Sequence, residues 1–146
     1  MATIYFDMDG TIADLYAVPD WLPMLRADDE TPYMLARPLV NMSRLARALH
    51  KAQKCGLTVG IISWASKQAS DEYIARIDRA KRDWLKRHLP SVKWDDIQVV
   101  AYGIPKSTLA QSGDLLFDDE ERNRTEWGNG AYSPEEIFEV LASLCR

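Results

Sequence analysis

Short apolar runs along this chain alternate with longer stretches whose apolar residues recur at spacings of three and four, the pattern of strands separated by amphipathic helices. Residues 3–6 are β-branched and aromatic and read as a first strand. Residues 38–54 carry Leu39, Met42, Leu45, Leu49 and Ala52 on one side and Arg44, Arg47 and Lys51 on the other, which predicts a helix stopped at Gly56. The near-continuous apolar run 57–62 suits a parallel strand covered on both faces. A long helix is expected over 67–89, with Tyr73, Ile77, Ala80, Trp84 and Leu85 inward and Pro90 as its stop. Beyond it the pattern gives a strand at 97–101, a short helix at 105–110, a strand at 114–117 and a brief strand at Ala131-Tyr132. A last helix then opens on Ser133, Pro134 and the capping-box acid Glu136.

Strand and helix in alternation predict an α/β fold, a doubly wound, Rossmann-like parallel sheet flanked by helices. Residues 13–37 break the alternation. Pro19, Pro23 and Pro32 punctuate a stretch bearing Tyr16, Trp21, Leu22, Met24, Leu25, Tyr33 and Met34, too apolar for a solvated linker. It reads as a small cap-like insertion, with core packing and a lid over a site equally open. At 146 residues the whole chain, 1–146, is expected to form a single domain.

Chemistry enters at the ends of the apolar runs. Asp7-Met8-Asp9-Gly10-Thr11 follows the first strand directly and sets two carboxylates two residues apart on a turn. Ser63 follows the second run with Trp64 beside it, Lys106 follows the third, and Asp118-Asp119 follow the fourth. In a parallel sheet all four stations converge on the carboxyl edge, where open α/β sheets bind ligands. Phosphoryl transfer needs a nucleophile, a proton donor for the leaving group and neutralisation of the phosphate. Asp7 suits the nucleophile and Asp9 the acid and then the base. The Gly10-Thr11 turn, Ser63, Trp64 and Lys106 are the candidates for holding the phosphoryl group. Asp118 and Asp119 complete an oxygen shell for Mg²⁺ together with the turn acids.

These residues resemble phosphatases of the haloacid dehalogenase superfamily, whose first motif is Asp-x-Asp-Gly-Thr after a strand. Ser63 in Ile61-Ile62-Ser63-Trp64, Lys106 in Ile104-Pro105-Lys106-Ser107 and the acids in Leu116-Phe117-Asp118-Asp119 match the other motifs in order, over residues 3 to 119. The resemblance implies a HAD-like fold, an aspartyl-phosphate on Asp7, and Mg²⁺ held by the Asp7, Asp118 and Asp119 side chains and the Asp9 main-chain carbonyl. An acid at position 9 favours phosphomonoester hydrolysis within that superfamily. Phe6 through Asp14, the Asp118-Asp119…Asn123 spacing and Trp127-Gly128 look more narrowly like 5′-nucleotidases acting on deoxyribonucleotides, which makes a nucleotide the first-choice substrate. The rival readings are a macromolecular substrate, such as a polynucleotide end or a phosphoprotein, and a phosphate- or nucleotide-binding module without turnover.

Charge and composition remove some partners. The net charge is -4, which gives no general attraction to nucleic acid or to an anionic membrane. The basic cluster Arg76, Arg79, Lys81, Arg82, Lys86 and Arg87 is interrupted by Asp78 and Asp83 and reads as a solvated helix face. Cys55 and Cys145 have no metal spacing and are expected as reduced thiols. With no apolar run of spanning length and no leader-like start, a cytoplasmic location is expected. A small cap leaves room for a bulky substrate or for closure by a second copy of the chain, so a homodimer belongs to the expectation.

Overall fold

The computed structural model describes residues 2–145. Its central sheet is built on β1 (Thr3–Phe6), which lies between β4 (Thr58–Trp64) and β6 (Leu115–Phe117). With β5 (Asp96–Val100) outside β4 and β7 (Ala131–Tyr132) outside β6, the order is β5-β4-β1-β6-β7, and every pairing is parallel. The helices α3 (Met42–Lys54), α4 (Asp71–His88), α5 (Glu121–Trp127) and α6 (Ile137–Leu144) make the crossovers and the flanks. This is the doubly wound α/β arrangement that the alternation called for. Ile4, Phe6, Val59, Ile61 and Phe117 are fully buried, as strands covered on both faces require.

The two long helices start four residues later than the apolar periodicity predicts, and capping explains the difference. The first of the long helices begins at Met42 because the Asn41 side chain accepts the Arg44 N–H at 2.9 Å. Leu39, expected on its inner face, precedes the helix and is exposed. Likewise α4 starts at Asp71, with the Ser70 hydroxyl accepting the Tyr73 N–H at 3.1 Å. Asn41→Ala is expected to cost about 1 kcal/mol in urea denaturation; a loss under a few tenths would show the cap to be idle. The helix α5, absent from the sequence reading, is short and almost wholly polar.

Residues 13–37 leave and rejoin the domain through a two-stranded antiparallel ribbon, β2 (Ala13–Asp14) against β3 (Arg37–Pro38). Between them lie a 3-10 helix (Leu15–Ala17), α1 (Trp21–Arg26) and α2 (Thr31–Leu35). Leu15, Leu25 and Tyr33 bury themselves against Tyr73, Ile77 and Ala80 of α4. The basic helix is therefore not simply a solvated face. Arg76 donates to Asp28 O at 2.7 Å and pairs with Glu30, Arg87 donates to Met34 O at 2.7 Å, and the Trp84 indole N–H donates to Ala36 O at 2.8 Å. Most decisively, Lys81 is 1% exposed.

A second correction concerns the cysteines. Cys55, just after α3, and Cys145, just after α6, are joined in a disulfide with Cα atoms 6.1 Å apart. Packing of α6 along α3 brings them together over a separation of 90 residues, which no local spacing signals. Among the described residues no helix is long and apolar enough to cross a membrane.

Candidate active site

The register of three strands assembles the site. Phe6 pairs with both Ile61 and Phe117, so the next residues of the outer strands flank Asp7. Asp7 N–H donates to Phe117 O at 2.9 Å, which fixes its carboxylate beside that of Asp118. Ser63 lies at the same edge of β4 and is fully buried. Lys106 arrives from the segment after β5, at the start of a 3-10 helix (Lys106–Leu109).

Lys106 is 2% exposed, and its ammonium donates to Asp7 Oδ1 at 2.8 Å and Asp118 Oδ2 at 2.7 Å. Burial by itself pushes the lysine down; the Asp7 and Asp118 charges outweigh it, and the net shift is upward, toward a permanently charged ammonium. Asp118 also accepts from the Glu120 N–H at 2.9 Å and Asn123 Nδ2 at 3.1 Å, so it is held rigidly. Asn123, on the unforeseen α5, is thus part of the site's frame.

One carboxylate oxygen each from Asp7, Asp118 and Asp119 lies within 4.8 Å of the other two. The donor set fits a hard divalent cation such as Mg²⁺, which takes oxygen ligands. Protonation shows the same crowding. Burial and then the Asp7 charge push Asp119 up to about 8, and Asp118 is also raised, by burial first. The Asp9 carboxylate is not among the three. Its Oδ2 accepts from Lys81 Nζ at 2.9 Å, and no described residue hydrogen-bonds its Oδ1.

The turn itself departs from expectation. Gly10 N–H donates to Ala13 O and Thr11 N–H to Met8 O, so neither is free for a phosphate. The one proton of the buried Thr11 hydroxyl is shared between Asp7 Oδ2 at 3.1 Å and Asp119 Oδ1 at 3.3 Å, and its oxygen accepts the Asp119 N–H at 3.1 Å. Thr11 braces the two acidic segments rather than facing the cavity. Gly10 has φ 83° and stands against the Asp119 carboxylate, where a Cβ would collide. The N–H groups of Met8 and Asp9 make no turn hydrogen bond and are the donors left at the Asp7 end. The indole N–H of Trp64 donates to Ile104 O at 2.8 Å, so Trp64 offers its ring to the cavity, not a donor.

Above the site lies a cavity of about 820 Å³, floored by Asp7, Asp9 and Asp118. The insertion supplies Tyr16, Trp21 and Tyr33 to its wall, facing Trp64 and Tyr102, whose rings are tilted together at 4.8 Å. Residues of the 13–37 stretch thus both pack against α4 and line the cavity.

The acid cluster has a measurable consequence. Asp119 holds its proton to about 8 in the fold but loses it near 4 when unfolded. The folded state binds more protons between those values, so the cluster withdraws stability as pH rises from about 4 to about 8. A divalent cation at the cluster would replace the proton and offset the repulsion. The gain in melting temperature on adding Mg²⁺ is expected to be larger at pH 8.5 than at pH 5.5. Comparing with and without Mg²⁺ at each pH cancels the opposite contribution of His88, which is lowered by burial. An equal or smaller gain at pH 8.5 would contradict the assignment.

Neither a protein-family model nor a curated protein sequence matches the chain. Among solved structures, D,D-heptose 1,7-bisphosphate phosphatase from Burkholderia thailandensis superposes with a TM-score of 0.60 over 99% of this chain and 98% of that one, at 11% identity. The chain has the same α/β, HAD-like fold as that phosphatase. At this identity the likeness defines the fold alone, and the chemistry has to be read from the site.

Proposed function

We propose that the chain is a Mg²⁺-dependent phosphomonoester hydrolase working through an aspartyl-phosphate on Asp7. The observation that carries this reading is the meeting of Asp7, Lys106, Asp118 and Asp119 at the carboxyl edge, with Asp9 on the floor of the same cavity. A buried aspartate braced by an ammonium and a threonine hydroxyl is pre-oriented for in-line attack.

In the first half-reaction an Asp7 oxygen bonds to phosphorus as the ester P–O bond breaks. Asp9 gives its proton to the departing oxygen. In the second, Asp9 takes a proton from water, whose oxygen attacks phosphorus; inorganic phosphate leaves and the Asp7 carboxylate is restored. The Lys106 ammonium and the Ser63 hydroxyl bind phosphoryl oxygens, and Lys106 also offsets repulsion between the phosphate dianion and Asp7. Asp7, Asp118 and Asp119, with the Asp9 carbonyl, would hold Mg²⁺, which would add to the charge neutralisation.

The aromatic walls favour a substrate with a planar leaving group, and a nucleoside monophosphate fits both that lining and the cavity's size. Phosphate release from a panel of ribo- and deoxyribonucleoside monophosphates, sugar phosphates and a 3′-phosphorylated oligonucleotide, with and without Mg²⁺, tests the reading. Mg²⁺-dependent release led by nucleotides is the expected result. Release led by sugar phosphates would move the substrate class, and phosphate binding without release would leave a binding module. On the best substrate Asp9→Asn is expected to lower kcat/KM by about 10²–10⁴-fold, the usual worth of a positioned acid. A loss below tenfold would remove Asp9 from that role.

A further inference from the structure

Lys81 has no part in the reaction drawn so far, yet it is among the most buried side chains of the chain. Its ammonium donates to Asp9 Oδ2 at 2.9 Å, Ser63 Oγ at 2.5 Å and Trp64 O at 2.9 Å. An ammonium has three protons, and all three are committed. Burying a charge is costly, and apolar residues of similar volume fill such positions at least as stably. A lysine here does more than pack.

The bonding pattern specifies what it does. Because Lys81 occupies Asp9 Oδ2, the proton exchanged with the leaving group or with water is confined to Oδ1, the oxygen no described residue holds. Because Ser63 Oγ accepts from Lys81, the single Ser63 hydroxyl proton is turned away from the lysine and can be given to a phosphoryl oxygen. Lys81 also lies under the Tyr33 ring of the insertion, 4.8 Å from its centroid, which keeps the ammonium out of water. We infer that Lys81 is a positioning residue that aims two groups at once, the Asp9 carboxyl at the leaving oxygen and the Ser63 hydroxyl at the phosphoryl group. This rests on the phosphatase reading above.

Lys81→Met keeps the length and apolar stem and removes the three donors; Lys81→Gln keeps a donor and serves if the first variant does not fold. Both are compared with the unaltered protein in Mg²⁺ by kcat/KM for p-nitrophenyl phosphate, whose leaving group needs little protonation, and for an alkyl phosphate, whose leaving group needs it fully. The binding of tungstate, a phosphate mimic, is measured alongside by calorimetry. The aryl ester and tungstate are expected to lose about tenfold through Ser63. The alkyl ester is expected to lose a further factor of about 10² or more through Asp9. Equal losses for the two esters, or tungstate affinity unchanged, would overturn the inference while leaving the phosphatase reading intact. An unaltered protein that neither binds tungstate nor hydrolyses either ester would instead bring down the phosphatase reading, and the role of Lys81 with it.

Discussion

Asp7→Asn is expected to reduce phosphate release by about 10⁴-fold or more, the scale on which removal of a covalent nucleophile acts. The amide keeps the shape of the carboxyl but cannot form an acyl phosphate. Its effect on folding has the opposite sign. In the metal-free protein Asp7 is one of three crowded carboxylates, and its charge is the second cause, after burial, of the upward shifts of Asp118 and Asp119. Lys106 retains Asp118 at 2.7 Å when Asp7 becomes neutral. The variant should therefore melt no lower than the unaltered protein at neutral pH without Mg²⁺. Inactivity combined with a preserved or raised melting temperature separates loss of the nucleophile from loss of the fold. Activity within tenfold of normal would exclude an aspartyl-phosphate on Asp7.

Lys106→Ala carries the largest expected cost in stability. Its ammonium is buried between Asp7 and Asp118 and is the cation nearest to both. Truncation leaves two uncompensated carboxylates facing each other, and breaking a buried pair in this way costs about 3–5 kcal/mol. Urea denaturation without Mg²⁺ reads this directly. Mg²⁺ should return part of the loss, since the cation would offset the same charges, yet activity should stay down by about 10²–10³-fold because the donor proposed for the phosphoryl oxygens is gone. A stability loss below 1 kcal/mol would mean that water or rearrangement satisfies the pair, and Lys106 would lose its place at the centre of the site.

Much of the fold was legible because two of the inner strands, β1 and β6, end directly on an acidic residue. Phe6 before Asp7 and Phe117 before Asp118 mark strand ends, and parallel pairing of Phe6 with Phe117 makes neighbours of residues more than a hundred positions apart. What escaped was set by tertiary context. The helix α5 has no apolar stripe, and the β2–β3 ribbon has two residues a side, one of them Pro38. The composition of the turn offers the Gly10 and Thr11 donors to phosphate, but the turn closes on its own carbonyls and spends their N–H groups. The disulfide joins residues 90 apart through the packing of α6 on α3.

Lys81 is the instructive miss. It sits in a run of basic residues, and composition alone groups it with them. By helical position it belongs elsewhere: four residues after Ile77 and four before Leu85, it lies on the buried stripe with Tyr73, Ile77 and Leu85. A charged residue on an otherwise apolar helix face is a signal in its own right, since burying it demands partners. Helical position thus marks Lys81 as a buried cation in need of partners, and the fold supplies them as Asp9 and Ser63.

The proposed reaction turns on covalent capture of the phosphoryl group by Asp7. Quenching the protein in acid during the first turnover of a good substrate, and mapping its peptides by mass, tests this most directly. A phosphoryl group is expected on the peptide bearing Asp7, appearing before free phosphate and absent from Asp7→Asn. Phosphate released over the same interval with that peptide never modified would contradict it.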